Sequence, residues 1–148
     1  MNPRIDPSLL AEMRRALLAE FGARTIYREL ARRVPDQELS EVLSRFHQDE
    51  IEQIERLRAL MQSLGATPRL RSRRRAALAW GLAQWARLGG RSLALRMCHD
   101  SENTLVRWYW TYANYLIAAG EIEHARTCEA LGLLKQRHAR TLATWVRQ

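Results

Sequence analysis

The sequence predicts an all-α fold, and three features carry that prediction. Glycine (7) and proline (4) are sparse in 148 residues and fall at a few break points. The polar remainder is dominated by Arg, Glu and Gln, which lose little on entering a helix. Apolar residues recur every three to four positions over four long stretches, the period of a helix with one buried face. With 47% apolar residues, the chain is long enough to bury a core as a single domain spanning residues 1–148.

The first helix starts at Asp6-Pro7, a side-chain cap followed by proline in the first turn, and runs to about Val34, where Pro35 ends it. Asp36 caps a second helix that continues to Leu64, with Gly65 as its left-handed end and Pro68 just beyond. So short a connection requires antiparallel packing. An apolar stretch, Ala76 to Leu88, carries Trp80 and Trp85 as a short extra helix and is broken by Gly89-Gly90. A third long helix runs from about Arg91 to Ala119, Gly120 breaks it, and Glu121 to Val146 forms the fourth. At 1.5 Å per residue the long helices approach about 40 Å, which gives an antiparallel four-helix bundle with one long crossover between the second and third helices.

Polar residues on the apolar stripes point to a site. The stripe Leu10, Met13, Leu17, Ala23, Tyr27, Leu30 takes in Glu20, and Leu43, Phe46, Leu57, Leu60 takes in Glu50 and Gln53. Leu95, Cys98, Leu105, Val106 and Tyr109 bracket Glu102, and Cys128, Leu131, Leu134, Leu142 and Trp145 bracket Lys135 and His138. Asp49, Glu52 and Glu55 fall toward other faces. An unpaired buried charge costs several kcal/mol, so the inward groups must meet a metal or one another.

These positions also repeat. Glu20 and Glu102 are 82 residues apart, and a tyrosine follows each seven residues later, at Tyr27 and Tyr109. Glu50 and Lys135 are 85 apart, as are Gln53 and His138. The chain reads as two copies of a helix hairpin, each offering a Glu on its first helix and an i, i+3 pair on its second. Tyr27 and Tyr109 are read as hydrogen-bonding to the inner carboxylates. His99 and His124 lie off the repeat and are read as structural, and His47 as a surface residue.

This arrangement resembles the ferritin-like superfamily, whose di-iron members supply one Glu from each of two helices and Glu-x-x-His from each of the other two. The stretch Glu20-Phe21-Gly22-Ala23-Arg24-Thr25-Ile26-Tyr27 is similar to the first ligand helix of demethoxyubiquinone hydroxylases and, less closely, of rubrerythrins. The order of elements from Arg75 to Tyr109 is similar to the hydroxylases as well. The resemblance covers Leu17 to Thr141 and implies metal ligation by Glu20, Glu50, Glu102 and His138. Two positions depart from it: Gln53 stands in place of a histidine and Lys135 in place of a glutamate. An amide oxygen binds a metal weakly and an ammonium repels it, so the residues favour at most one ion, iron or manganese, or none, with Lys135 as a built-in cation among the glutamates.

The net charge is +8, with Lys135 the only lysine and five arginines within residues 69–75. The arginines followed by Ala76–Leu88 suit the interface of an anionic membrane, although a crossover packed on the bundle has nearly equal weight; nucleic acid is the less favoured partner and a homodimer stays open. No stretch reaches the roughly 20 apolar residues of a membrane span, no apolar leader opens the chain, and Cys98 and Cys128 lie within helical patterns. These features predict a cytoplasmic protein, peripheral at most at the inner face of the membrane, with a Cys98–Cys128 disulfide left open. Two functions follow: a metal-linked oxidoreductase, by resemblance a hydroxylase of a quinone-like lipophilic substrate, or a metal-free relative that serves as a scaffold held by the Lys–Glu cluster.

Overall fold

The computed structural model describes residues 5–68, 81, 84 and 88–148. These residues form four long helices and no strand: α1 (Pro7–Arg33), α2 (Gln37–Ser63), α3 (Gly90–Ala118) and α4 (Ile122–Val146). The extra helix and the membrane-facing segment expected over Arg69–Leu88, Trp80 and Trp85 included, lie almost wholly outside the described residues. Among the described residues no helix is long and apolar enough to cross a membrane.

Local chemistry sets the helix ends. Asp6 Oδ1 accepts from the Ser8 amide at 2.8 Å, with Pro7 in the first turn, and Asp36 Oδ1 accepts from the Leu39 amide at 3.0 Å. Val34, forced extended by the proline after it, ends α1 at φ −69°, ψ 130°. Both other long helices that meet a turn close in the same way. Gly65 (φ 89°) donates to the Gln62 carbonyl while Ala66 donates to Met61. Gly120 (φ 79°) donates to Ile117 while Glu121 donates to Leu116. These paired bonds satisfy the last carbonyls of each helix and require a left-handed residue at the turn.

The cross-helix partners fix the topology. Along α1 and α3, Asp6 meets Tyr115, Glu12 meets Tyr112, Glu20 meets Tyr109 and Tyr27 meets Glu102, a strictly descending order that makes the two antiparallel. Along α2 and α4, Asp49 meets His138 and Ser63 meets His124, again antiparallel. Since α1 and α2 form a hairpin, α2 and α3 run parallel, so the end of α2 and the start of α3 lie at opposite ends of the bundle. α1 packs chiefly on α2 and α3 on α4, while α1 against α3 and α2 against α4 close the ring.

The core is divided. One apolar cluster, including Leu10, Met13, Leu17, Leu57, Met61, Leu105 and Leu116, fills the end where α2 stops. A second, including Tyr27, Leu30, Leu43, Phe46, Leu95 and Leu142, fills the other. Between them lies one buried polar layer: Glu20, Glu50, Gln53, Glu102, Lys135 and His138. Val106 and Leu134, placed on the stripes by spacing, are only half-buried. Cys98 belongs to the second cluster and Cys128 to the first, and both are free thiols. Burial pushes both thiols up, Cys128 to about 12, so neither is an exposed reactive thiolate.

A Cβ at residue 120 would meet no atom within 4 Å, so replacing Gly120 tests backbone conformation alone. Gly120→Ala is expected to lower the unfolding free energy by about 1 kcal/mol, the cost of a left-handed alanine, with an unchanged denaturant slope in urea titration.

Candidate metal centre

Each helix delivers its polar groups to one level because antiparallel pairing brings equal distances from a turn together. Lys135 Nζ lies within the three glutamates. It pairs with Glu20 Oε2, donates to Glu50 Oε1 at 2.5 Å and faces Glu102 Oε2 at 3.5 Å. The tyrosines cross between hairpins. Tyr27 on α1 donates to Glu102 Oε1 on α3, and Tyr109 on α3 donates to Glu20 Oε1 on α1 at 2.6 Å. The sequence repeat thus becomes a pair of reciprocal braces, each glutamate held by the other copy's tyrosine. Tyr27 and Tyr109 thus bond carboxylates of the layer across the two hairpins.

Glu50 has no such hydroxyl, and its chemistry differs accordingly. Burial drives its carboxyl well above the usual range, the adjacent Glu20 adds to this, and Lys135 offsets only part. Burial acts on Glu102 as well, but there Lys135, His138 and the Tyr27 hydroxyl outweigh it and hold the pKa below the usual value. For Lys135, burial favours the neutral amine, yet Glu102, Glu20 and Glu50 together raise its pKa, so it remains an ammonium. Burial, then Glu102 for Tyr27 and Glu20 for Tyr109, keeps both phenols protonated.

His138 faces the layer from the side. Its Nε2 donates to Asp49 Oδ2 at 2.8 Å, since a carboxylate oxygen can only accept. Its Nδ1 points at Glu50 Oε1 (3.8 Å) and Glu102 Oε1 (3.7 Å) and has no hydrogen-bond partner. Phe46 stacks on the ring with centroids 3.9 Å apart, and Tyr27 contacts its edge. Asp49 is the residue that the stripe pattern missed. It is adjacent to Glu50 and therefore about 100° round the helix, on the seam with α4 instead of the core stripe. Its side chain is 40% exposed, yet it fixes His138. Placement on a helix seam cannot be read from one helix's periodicity, because the partner comes from another helix.

The other histidines do not join the layer. His124 pairs with Glu121 Oε2 and Ser63 Oγ where α2 ends and α4 begins. His99 contacts Asp100 and Asn103 of its own helix. His47, expected at the surface, is half-buried instead, its Nδ1 donating to the Arg24 carbonyl at 2.9 Å across the α1–α2 hairpin.

The donor set fits one ion. Glu50, Glu102 and His138 each offer a donor atom within 4.8 Å of the others, and all three are buried. Glu50 Oε2, Glu102 Oε2 and His138 Nδ1 have no hydrogen bonds, nor does either amide atom of Gln53, one turn beyond Glu50 on α2. Buried polar atoms without partners are rare and call for a water or an ion. A second ion does not fit, because Glu20 is taken by Lys135, whose ammonium stands among the carboxylates that would have to bridge. The chain matches no family model, no curated protein and no solved structure.

The opposite shifts of Glu50 and Glu102 separate their roles. A raised pKa in the fold means that Glu50 contributes stability below its unfolded value and loses it as pH rises through the folded one. A lowered pKa means that Glu102 contributes above its unfolded value and loses it as pH falls through the folded one. At pH 7 in the metal-free protein, Glu50→Gln should change stability by less than about 1 kcal/mol, whereas Glu102→Gln should cost about 3 kcal/mol as a broken buried pair. Urea denaturation of both variants checks this, and equal losses would contradict it.

Proposed function

We propose that this chain is a metal-linked protein of ferritin-like type that holds a single divalent ion, iron or manganese, on Glu50, Glu102 and His138. One observation carries the reading: the free nitrogen of His138 is aimed between two buried carboxylates while its other nitrogen is tied to Asp49. That nitrogen and one oxygen of each facing carboxylate lack hydrogen-bond partners, and a cation lying between them would satisfy all three. A carboxylate fixing the far nitrogen is the usual way that a protein sets a metal-binding imidazole. The parallel course of α2 and α3 supports the ferritin-like comparison.

When bound, such an ion supplies Lewis-acid chemistry and, for iron, electron transfer. The roles of the chain's own residues follow from their contacts. Glu50, Glu102 and His138 bind, with Gln53 as a weak oxygen donor, and Asp49 orients His138. Tyr27 and Tyr109 hold their protons on Glu102 and Glu20, and the two apolar clusters exclude water from both sides. Hydroxylation of a quinone-like lipophilic substrate is supported by the resemblance alone.

A specific observation favours a second reading, a metal-free scaffold: Lys135 already gives the three glutamates a shared cation. Metal analysis of protein produced in iron- and manganese-supplied medium separates the two. The metal-linked reading expects one ion per chain, lost in His138→Ala. It also expects two ions per chain in the Lys135→Glu, Gln53→His double variant, which completes both Glu-x-x-His pairs. No bound ion in the folded wild-type protein would leave the scaffold reading. In either case Lys135→Met should destabilise the metal-free protein by about 3 kcal/mol or more, measured by urea or thermal denaturation, since buried carboxylates lose their counter-charge.

A further inference from the structure

We propose that Lys135 fixes the charge of the ion this site accepts: the layer takes a divalent cation and rejects a trivalent one. This deepens the single-ion reading and rests on it. The charged groups facing the site can be counted from all four helices: Glu20 from α1, Glu50 from α2, Glu102 from α3 and Lys135 from α4, every one buried. Among the described residues Asp49 is the other charged group paired with the layer, and its carboxylate lies beyond the imidazole, 40% exposed. With the three carboxylates ionised around a loaded ion, they and the ammonium sum to two negative charges. A divalent ion brings the buried layer to neutrality.

A trivalent ion leaves one uncompensated positive charge between two apolar clusters, beside an ammonium that cannot move away because it is held by Glu20 and Glu50. Burial makes each unit of imbalance far more costly than it would be in water. Removing an electron from ferrous iron at this site raises its charge by one, so the lysine opposes oxidation. Dioxygen takes up electrons only if the metal gives them up. Oxidation here would need a further anion, such as hydroxide, to enter a layer in which no group is more than 2% exposed. The expected cofactor class is therefore a divalent ion that stays divalent, and the ion's role is structural or Lewis-acidic instead of oxygen-activating. Gln53 is consistent with this assignment, since a neutral amide in place of a histidine adds a donor without altering the charge.

The test loads the full-length protein anaerobically with Fe(II) and exposes it to air at pH 7, following ferrous iron with a chelator and ferric iron by electron paramagnetic resonance. Wild type should bind one Fe(II) and keep it ferrous. Oxidation should be at least about tenfold slower than in Lys135→Gln, a modest fraction of what one buried unit charge can impose on a rate. A parallel measurement needs no variant: wild type should bind Mn(II) or Zn(II) at one per chain and fail to retain Ga(III), a redox-inert trivalent ion. Rapid oxidation with ferric iron retained, or stoichiometric Ga(III) binding, overturns the proposal while leaving a single-ion site in place. Loss of the Lys135 proton on loading would appear as that same outcome. Failure to bind any divalent ion overturns the single-ion reading itself, and the proposal with it.

Discussion

One ammonium group in the centre of the bundle organises this protein. Lys135 is the only lysine in the chain and is fully buried, and three glutamates from three other helices converge on it. None of these charges is tolerable alone in an apolar interior, so all four helices are obliged to meet at one level and in one rotation about their axes. Apolar packing above and below the layer supplies most of the driving force for collapse. It does not by itself distinguish one helix register from another a turn away. The charge layer does, because a slip of one helical turn, about 5.4 Å, would strand a charge without its partner.

The tyrosine braces make this constraint reciprocal. Each hairpin contributes a glutamate and a tyrosine, and each glutamate is bonded by the tyrosine of the other hairpin. Neither hairpin can satisfy its own polar groups, so the two halves depend on each other through the core. Glu50 is the exception, with Lys135 as its hydrogen-bond donor and no tyrosine. Among the three carboxyls around one ammonium, it is Glu50 that burial and the neighbouring Glu20 push well above the usual range.

Much of this was legible in the sequence. The four helices start and stop within a few residues of where Asp6, Pro35, Asp36, Gly65, Gly89-Gly90 and Gly120 place them, because caps and left-handed turns are local chemistry. All six polar residues of the layer were legible too, because an ionisable group on an apolar stripe is conspicuous and the repeat marks it a second time. Three things were hidden. Asp49 lies off the stripe, on a seam defined by two helices. The half-buried Val106 and Leu134 show that spacing gives a face but not its edge. The opposite pKa shifts of Glu50 and Glu102 depend on which groups face each carboxyl, Glu20 raising one while Lys135, His138 and Tyr27 lower the other, and that is a property of packing.

A lysine in place of a second cation also changes how metal binding relates to folding. In many small metalloproteins the ligands repel one another until the ion arrives, so the binding free energy is folding free energy. Here the repulsion among Glu20, Glu50 and Glu102 is already offset by a covalently attached positive charge, and the raised pKa of Glu50 eases part of the remainder. What stays without a hydrogen bond is His138 Nδ1, one oxygen each of Glu20, Glu50 and Glu102, and the amide of Gln53, and of these oxygens those of Glu20 and Glu102 face the Lys135 ammonium. The bundle is thus committed to its register by Lys135, and the proposed ion site is a separate, local property. Asp49, 40% exposed, links the layer to solvent through its bond with His138 Nε2.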